Sequence, residues 1–392
     1  MNIERILKSD IQDFINKNIN LDITKLAFKK NPFPDVDYTT LINQIIAKKK
    51  AKEKLPTWFA NPAIIFPEKI SIEQTSSEIT AKYKASLVSG NNLIDCTGGF
   101  GIDDYYFSKQ FNKVIHCEIN AELSLIVAHN FRALHVENVS CVIGDSTSIL
   151  KNRNQKFDCI YVDPSRRNDA KGKVFMLKDC LPNVVELQNF YEEYSETLLI
   201  KTAPILDITA GLSELKNVTT IYIVAVENEV KELLWLIEKG NSKNPMIKAV
   251  TIDKGIVYST EIVLLKNYHA TFSLPQQYLY EPNASLLKSG YFNAISELFG
   301  VAKLHQHSHL YTSNENKEFQ GRKFKIIQEI KYQKQEMKQY IQNQKMNIST
   351  RNFPLKPEEI KKKFKIQDGG ITYAFFTTNL NNEKIVLLCE KI

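Results

Sequence analysis

The chain has 392 residues, of which 43% are hydrophobic and 24% are charged, so it is long enough for two or three domains and too apolar to be disordered. No run of about 18 apolar residues occurs, so we expect no membrane span. Residues 281–392 carry 18 Lys and Arg against 11 Asp and Glu, whereas residues 1–280 carry 33 of each, so the last region holds the whole net charge of +7. This asymmetry indicates a polyanionic partner, unless it is only a solvated basic surface.

In chain order, residues 1 to about 70 are predicted to be helical, with a basic stretch at 48–54. The run Thr75-Ser-Ser-Glu78 fits a capping box, which predicts a helix over residues 79–88. After Gly90, short apolar runs alternate with amphipathic segments such as 121–134, a pattern typical of a parallel sheet with helices on both faces. The predicted strands are 93–96, 114–118, 140–143, 159–163, 197–201, 221–226 and 262–265.

The region from about residue 280 has a different pattern and is predicted to be a separate α+β domain. Its long polar segment 326–344 is predicted to be a helix, and Pro357 is predicted to open a second one. Strands are expected at 371–377 and 385–389. Before this region, Asp253-Lys-Gly255 predicts a hairpin turn.

The six cysteines form no Cys-x-x-Cys pair, and four of them lie in apolar, strand-like runs. This usage is typical of buried free thiols and predicts a cytoplasmic protein. His305, His307 and His309 alternate but have no cysteine or carboxylate spacing beside them, so we interpret them as a polar surface and predict no metal site. The oligomeric state is left open.

Polar and glycine residues follow the first three predicted strands of the sheet, where ligands of open parallel sheets bind. The first strand leads into Asp95-Cys-Thr97-Gly98-Gly99-Phe-Gly101, whose glycines let the backbone approach a ligand closely. Glu118 ends the second strand, where a carboxylate can accept hydrogen bonds from two ribose hydroxyls, although it could also cap the next helix. Asp145, followed by Ser146, ends the third strand and can accept from an adenine amino group.

The fourth strand is followed by Asp163-Pro164-Ser165-Arg166-Arg167. Asp163 could accept a hydrogen bond from a substrate amino group and help to take its proton. Ser165 could orient the target, and Arg166 or Arg167 could hold a phosphate or stack on a base. In the simpler interpretation, Asp163 caps a turn and both arginines are solvated.

A nicotinamide dinucleotide site is the main alternative for the glycine loop and its distant acidic residue. That site needs a G-x-G-x-x-G spacing, which is absent here, and it has no use for Asp145 or Asp163.

The four strand ends together resemble the motifs of class I S-adenosylmethionine-dependent methyltransferases. Residues 95–101 resemble their first motif, Glu118 and Asp145 match the ribose- and adenine-contacting positions, and Asp163-Pro164 matches the catalytic loop. The resemblance implies a Rossmann-like sheet that binds S-adenosylmethionine.

The whole chain also resembles a little-characterised bacterial family, in particular at Glu73-Gln-Thr-Ser-Ser-Glu78 and Asn352-Phe-Pro354. Those proteins join such a methyltransferase domain to a C-terminal THUMP-like domain. Because THUMP domains bind RNA, the resemblance implies an RNA substrate, either rRNA or tRNA, which agrees with the basic charge beyond residue 280.

The catalytic loop departs from several known types of RNA methyltransferase. No aromatic residue follows Asp163-Pro164, so the stacking platform of adenine-N6 enzymes is missing. The cysteine that uracil-C5 enzymes need after the fifth strand is absent, and Lys201 stands there. One class of ribose 2′-O enzymes uses a Lys-Asp-Lys-Glu set, but a single lysine at a strand end is more often structural. The run 97–103 resembles loops of some guanine-N2 enzymes, which makes guanine N2 the predicted target.

The sequence thus predicts an α/β fold in three parts: a helical N-terminal region (1–72), a Rossmann-like class I methyltransferase domain (73–278) and an α+β THUMP-like domain that binds RNA (279–392). The predicted function is methylation of an RNA base with S-adenosylmethionine. The alternative is an RNA-binding protein whose methyltransferase domain is inactive, because the Asp-Pro-Ser loop is unusual. Methylation of a protein or small molecule would not call for an appended basic domain.

Overall fold

The computed structural model describes residues 3–67, 72, 75–166 and 176–392. The chain divides into two compact units. The first unit comprises residues Met1–Thr220 and Glu232–Lys243, and the second comprises Ile221–Lys231 and Asn244–Ile392. The three-part division stays a prediction, and its first two parts fall largely within the first unit.

The described helices are α1 (Ile3–Ile6), α2 (Ser9–Asn18), α3 (Ile23–Ala27), α4 (Tyr38–Lys54), α5 (Pro56–Ala60), α6 (Glu78–Ala85), α7 (Ile102–Phe107), α8 (Ala121–Ala133), α9 (Ser146–Arg153), α10 (Val184–Tyr191), α11 (Ile208–Glu214), α12 (Ala284–Ser289), α13 (Phe292–Phe299), α14 (Lys334–Glu336) and α15 (Pro357–Phe364). A 3₁₀ turn at Leu177–Asp179 and a π-helical turn at Met337–Ile341 accompany them.

The described strands are β1 (Gly90–Asp95), β2 (Phe111–Glu118), β3 (Val139–Ile143), β4 (Cys159–Val162), β5 (Ser165–Arg166), β6 (Cys180–Leu181), β7 (Thr197–Thr202), β8 (Val218–Val226), β9 (Glu229–Glu238), β10 (Met246–Asp253), β11 (Ile256–Val263), β12 (Tyr278–Pro282), β13 (Ala302–Lys303), β14 (Tyr311–Ser313), β15 (Gly321–Lys331), β16 (Asn347–Arg351), β17 (Thr372–Thr378) and β18 (Lys384–Lys391).

The sheet of the first unit has its strands in the order β9-β7-β4-β1-β2-β3. Strands β7, β4, β1, β2 and β3 run parallel, and β9 is antiparallel to β7. Each of these parallel strands was predicted from the sequence and differs from its prediction by no more than a few residues at its ends. Because the carboxyl ends of parallel strands lie at one edge, the residues that follow them are brought together there.

The N-terminal helices share a hydrophobic core with α7 and α8. Trp58 and Phe66 of the N-terminal segment are buried together with Phe100 and Phe131. A polar contact fixes the segment in place, since the Asn130 side chain of α8 bonds both backbone groups of residue 65 at 2.9 and 2.8 Å. The predicted helical region is therefore present, and it packs directly on the sheet's helices.

The capping box of α6 lies two residues further along the chain than predicted. Ser77 is the N-cap of α6, and its hydroxyl accepts from the N–H of Thr80 at 3.1 Å. Glu78, the expected partner, accepts instead from the N–H of Thr57 (2.6 Å) and the hydroxyl of Tyr106 (2.8 Å). The prediction of Thr75-Ser-Ser-Glu78 as the box was wrong because a contact distant in sequence occupies the glutamate.

The second unit contains a seven-stranded sheet with the order β13-β14-β12-β15-β18-β17-β16. Helix α15 begins at Pro357, and β17 and β18 lie close to the predicted strands. The predicted hairpin between β10 and β11 is confirmed. Asp253 pairs with Ile256, and the two turn residues between them have φ of +48° and +80°, as a type I′ turn requires.

The helix predicted over 326–344 was wrong for its first residues, and within this range the helical residues are Lys334–Glu336 and Met337–Ile341. Residues Gly321–Lys331 instead form β15, which lies inside the sheet between β12 and β18. Lys, Gln and Glu give this segment a helical propensity, but pairing on both sides overrides it. Among the described residues, the helices are all too short or too polar to cross a bilayer.

Candidate active site

The loop after β1 is held from inside by Asp95. This residue is 1% exposed, and its Oδ1 accepts hydrogen bonds from the N–H (2.7 Å) and the hydroxyl (3.0 Å) of Thr97. Burial raises the pKa of Asp95 well above its usual value, and the neighbouring Asp104 carboxyl adds to the effect. Asp95 therefore fixes the shape of the loop and does not face solvent.

The glycines of this loop are needed for two different reasons, close packing and a positive φ. A Cβ on Gly98 would lie 2.2 Å from the imidazole of His116, whose Nδ1 is itself 2.7 Å from Asp104, so a larger residue would displace a buried pair. Gly99 has φ of +54°, and a Cβ there would have its nearest neighbour 3.7 Å away. Gly101 is the N-cap of α7. The backbone at Gly99 is thus both in a glycine conformation and open to a ligand.

Glu118, at the end of β2, is turned towards the same loop. Its Oε2 accepts from the N–H of Gly99 at 3.0 Å, and its Oε1 accepts from the N–H of Asn120 at 2.7 Å. The carboxylate is half-buried and held on both sides, which suits an acceptor for a pair of ribose hydroxyls.

Asp145 follows β3 and is the N-cap of α9. Its Oδ1 accepts from the N–H of Ser148 at 2.9 Å and from the hydroxyls of Thr147 and Ser148. Within the described part of the chain, no hydrogen bond to its Oδ2 occurs, and the side chain is exposed. Ser146, the first residue of α9, is 7% exposed. Asp145 therefore has a structural role as a cap and one oxygen left for a ligand.

Asp163 lies directly after β4 and is joined to the glycine loop. Its N–H donates to the hydroxyl of Thr97 at 2.7 Å. Its Oδ2 accepts from the ammonium of Lys201 on β7, and the side chain is 35% exposed. The structure thus brings the first and fourth predicted motifs into direct contact.

The next residues of this loop leave the sheet as a short ribbon. Ser165 pairs with Leu181 and Arg166 pairs with Cys180, as β5 and β6. Ser165 is exposed, and its hydroxyl is 3.4 Å from the carbonyl oxygen of Leu181. Arg167 lies outside the described residues.

Asp163 belongs to a group of five ionisable side chains, four of which lie behind it. We call this group the buried charge cluster: Lys84, Asp103, Asp163, Lys201 and Glu232. The ammonium of Lys84 is 2.8 Å from Asp103 and 3.4 Å from Glu232. Ser76 joins the two lysines, since its hydroxyl oxygen is 3.0 Å from Lys84 and 3.2 Å from Lys201. Two cations and three carboxyl groups thus share one interior space.

The protonation of this cluster follows from its mixed charges. Burial alone lowers the pKa of Lys201, but Asp163, Asp103 and Glu232 outweigh it and hold this pKa above its usual value. Burial raises the pKa of Asp103, yet Lys84 and Lys201 outweigh it and keep this pKa below its usual value. Burial raises the pKa of Glu232 further than the two lysines lower it. Lys201 is therefore an ammonium at neutral pH.

Two members of the buried charge cluster, Lys84 and Glu232, were not identified as site residues in the sequence analysis. Lys84 is one of two lysines in α6, and nothing local distinguishes it from the exposed Lys82. Glu232 carried a signal, because a carboxylate directly before the apolar run 233–237 needs a partner if that run is buried, but β9, which contains this run, was not among the predicted strands. Because Lys84 and Glu232 are also present, Lys201 is not a single lysine at a strand end. The members of the cluster other than Asp103 are, in chain order, Lys84, Asp163, Lys201 and Glu232.

Two domain families match the second unit. Residues 278–319 match a ferredoxin-like domain family, and residues 321–391 match a family described as THUMP domain-like. No curated protein matches the chain.

Among solved structures, a protein of Porphyromonas gingivalis W83 named as a candidate methyltransferase is 29% identical. The match covers 99% of this chain and 98% of that one, with a TM-score of 0.86.

Two further structures contain bound S-adenosylhomocysteine. SMU.1697c of Streptococcus mutans is 15% identical over 41% of this chain and 95% of its own, with a TM-score of 0.30. TrmK of M. capricolum is 12% identical over 44% and 70%, with a TM-score of 0.33. At these TM-scores neither bears on the function of this chain.

From its sheet, its domain families and the full-length structural match, the chain combines a Rossmann-like fold of the class I methyltransferase type with a C-terminal THUMP-like domain.

Proposed function

We propose that this chain is an S-adenosylmethionine-dependent methyltransferase that acts on RNA. The observation that carries the proposal is the junction of Asp163 with the glycine loop through Thr97, which sets a polar, partly exposed group beside the expected cofactor position. The named relative from Porphyromonas gingivalis supports methyl transfer. The THUMP-like domain and the basic charge beyond residue 280 support RNA as the substrate.

The residues at the sheet edge fit S-adenosylmethionine. Glu118 would accept from the ribose hydroxyls, the open backbone at Gly99 would lie against the cofactor, and Oδ2 of Asp145 would accept from the adenine amino group. Thr97, Gly98 and Gly101 would act by shaping the loop, as Asp95 does. When bound, the sulfonium of the cofactor supplies an activated methyl group.

The proposed reaction centre is Asp163, with Ser165 and Arg166 beside it on the ribbon. We assign Asp163 the task of receiving a proton from the acceptor group. Ser165 is exposed and would help to orient the substrate, and Arg166 would contact a phosphate.

The alternative of an inactive methyltransferase domain finds less support. A protein that only binds RNA gains nothing from four further ionisable groups placed in the interior beside Asp163, since each buried charge costs free energy. Guanine N2 stays a prediction that rests on the run 97–103. The ion pair between Asp163 and Lys201 does not favour it, because an amine gains positive charge as it attacks a methyl group and the adjacent ammonium of Lys201 opposes that charge.

Glu118→Ala should weaken binding of S-adenosylmethionine about tenfold or more. The reason is the loss of charge-assisted hydrogen bonds to the ribose, each worth roughly 1.5–3 kcal/mol. Isothermal titration calorimetry measures the effect, and Glu137→Ala, an exposed glutamate of the same unit, is the matched control. If folded Glu118→Ala protein binds as tightly as Glu137→Ala protein, the ribose assignment is wrong.

Replacing Lys362, Lys363 and Lys365 with Gln should flatten the salt dependence of RNA binding by about two units. All three are exposed on or after α15. Each neutralised phosphate contributes a slope of log affinity against log salt near −0.7 on single strands and near −0.9 on a B-form DNA duplex. Filter binding of total RNA over a range of salt concentrations measures the slope.

The control for this experiment is a triple variant of exposed lysines in the first unit, Lys109, Lys113 and Lys216. It should leave the slope within half a unit of the native value. Equal slopes for both triple variants would place the RNA contacts elsewhere, with the basic stretch 48–54 as the next choice. Binding of S-adenosylmethionine should be unchanged in both.

We also infer a cytoplasmic location. None of the six cysteines, all of which lie in the described part of the chain, forms a disulfide, and five of them are buried. Thiols outside disulfides persist in reducing compartments, which supports this placement.

A further inference from the structure

The buried charge cluster is most open to solvent at the end formed by Asp163 and Lys201. Asp163 is 35% exposed and Lys201 is 14% exposed, whereas Asp103 is 11% exposed, Glu232 is 3% exposed and Lys84 is fully buried. The open end is also the end that is joined to Thr97 of the glycine loop. A methyl acceptor that reaches the proposed cofactor must therefore lie beside Asp163 and Lys201.

The ammonium of Lys201 determines which acceptor suits this position. An exocyclic amine gains positive charge as its nitrogen attacks a methyl group, so an adjacent cation opposes the reaction. A hydroxyl oxygen attacks best as it becomes negative, and an adjacent ammonium stabilises that charge. The pairing of a cation with a carboxylate at the opening thus fits a hydroxyl group better than an amine.

We infer that the methyl acceptor is the 2′-hydroxyl of a ribose in RNA, activated by the open end of the buried charge cluster. The inference rests on the proposed function, since that function supplies RNA as the substrate. Each internal nucleotide of RNA carries one free hydroxyl, the 2′-OH, which is both a donor and an acceptor of hydrogen bonds. It can therefore donate to Asp163 and accept from Lys201 at the same time.

The proposed reaction transfers one methyl group to the 2′-oxygen and one proton to Asp163. The 2′-oxygen forms a bond to the methyl carbon as the bond from that carbon to sulfur breaks, and the bonding pair stays on sulfur. The hydroxyl proton passes to Oδ1 of Asp163, which has no hydrogen-bond partner among the described side chains and backbone groups, while Lys201 keeps its own proton. A sulfonium and a carboxylate become a thioether and a carboxylic acid, so charge is conserved. Asp163 then returns the proton to water.

Lys84 and Glu232 are positioning residues in this scheme. Ser76 links Lys84 to Lys201 through hydrogen bonds of 3.0 and 3.2 Å, and Glu232 favours the charged form of Lys201 from inside the cluster. Oε1 of Glu232 is buried and has no hydrogen-bond partner within the described residues. An unpaired buried carboxyl oxygen costs free energy, and a cluster built only for stability would have paired it or replaced it with an apolar group.

The test uses the full-length protein, S-adenosylmethionine labelled in the methyl group, and total RNA from cells that lack this protein. Alkali cleaves RNA through the free 2′-hydroxyl, so a 2′-O-methyl group leaves an alkali-resistant dinucleotide. We expect the label in such dinucleotides and, after nuclease digestion, in 2′-O-methylnucleosides by mass spectrometry. Lys201→Met protein should label no RNA above background, and Lys216→Met protein, altered at an exposed lysine, should label as much as native protein.

Label in alkali-released mononucleotides would overturn the 2′-hydroxyl assignment and leave RNA methylation standing. Label in protein or in small molecules but not in RNA would overturn the proposed substrate together with the inference. Calorimetry on the same three proteins provides a readout that does not depend on turnover. Native and both variant proteins should bind S-adenosylmethionine with affinities within about threefold of each other. A large loss of affinity in Lys201→Met protein would make Lys201 a cofactor residue and overturn its role at the acceptor.

Discussion

Lys201→Met should lower the rate of methyl transfer about a thousandfold while leaving cofactor affinity nearly unchanged. Methionine keeps the length of the side chain but removes the charge and the donor that face the acceptor. Losses of 10² to 10⁴ are typical when a positioned acid–base or electrostatic group is removed. Single-turnover kinetics with saturating S-adenosylmethionine measures the chemical step directly.

Variants at Asp163, which pairs with Lys201, and a second variant at Lys201 make this prediction more specific. Asp163→Ala should cost turnover to a similar extent, and the double variant should be little worse than either single one, because the two groups act as a unit. Lys201→Arg keeps a cation but changes its shape, so it should retain part of the activity. Additive losses in the double variant would show that the two side chains act independently, and turnover within a few-fold of native for Lys201→Met would make the lysine structural.

The parallel sheet of the first unit could be predicted because its signals are local. Each strand is a short apolar run, and each is followed by residues that only a turn or a ligand site needs, such as Gly98 and Asp163. The segment Gly321–Lys331 had no such signal. Its polar residues suit a helix, and only pairing with β12 and β18 makes it a strand.

The candidate site likewise contains residues that could be predicted from the sequence and residues that could not. Glu118 and Asp163 stand at strand ends and were placed by motif and order along the chain. Lys84 and Glu232 contact each other across 148 residues of sequence, and their meeting depends on where α6 lies relative to strand β9 of the sheet. The role of Asp145 as a helix cap was not predicted, although Asp is among the residues most favoured at that position.

Lys84→Met should lower the free energy of unfolding of the first unit by about 3–5 kcal/mol, the usual cost of removing one partner from a buried ion pair. Lys84 is fully buried, and its loss leaves Asp103 and Glu232 without their nearest cation. Both tryptophans of the chain, Trp58 and Trp235, are buried in the first unit, so tryptophan fluorescence in a urea titration follows that unit alone.

The pH dependence identifies the cause of this loss. Without Lys84, the pKa values of Asp103 and Glu232 in the folded state rise. A carboxyl group whose folded pKa is raised destabilises the fold above its unfolded pKa of about 4, and this penalty disappears as pH falls and both states become protonated. The deficit of Lys84→Met protein relative to native should therefore shrink between pH 7 and about pH 4.5. Lys82→Met, at an exposed lysine of the same helix, should change stability by less than about 0.5 kcal/mol at either pH. A deficit that stays constant with pH would mean that the loss comes from packing, and the charges of the cluster would then contribute little to the stability of this unit.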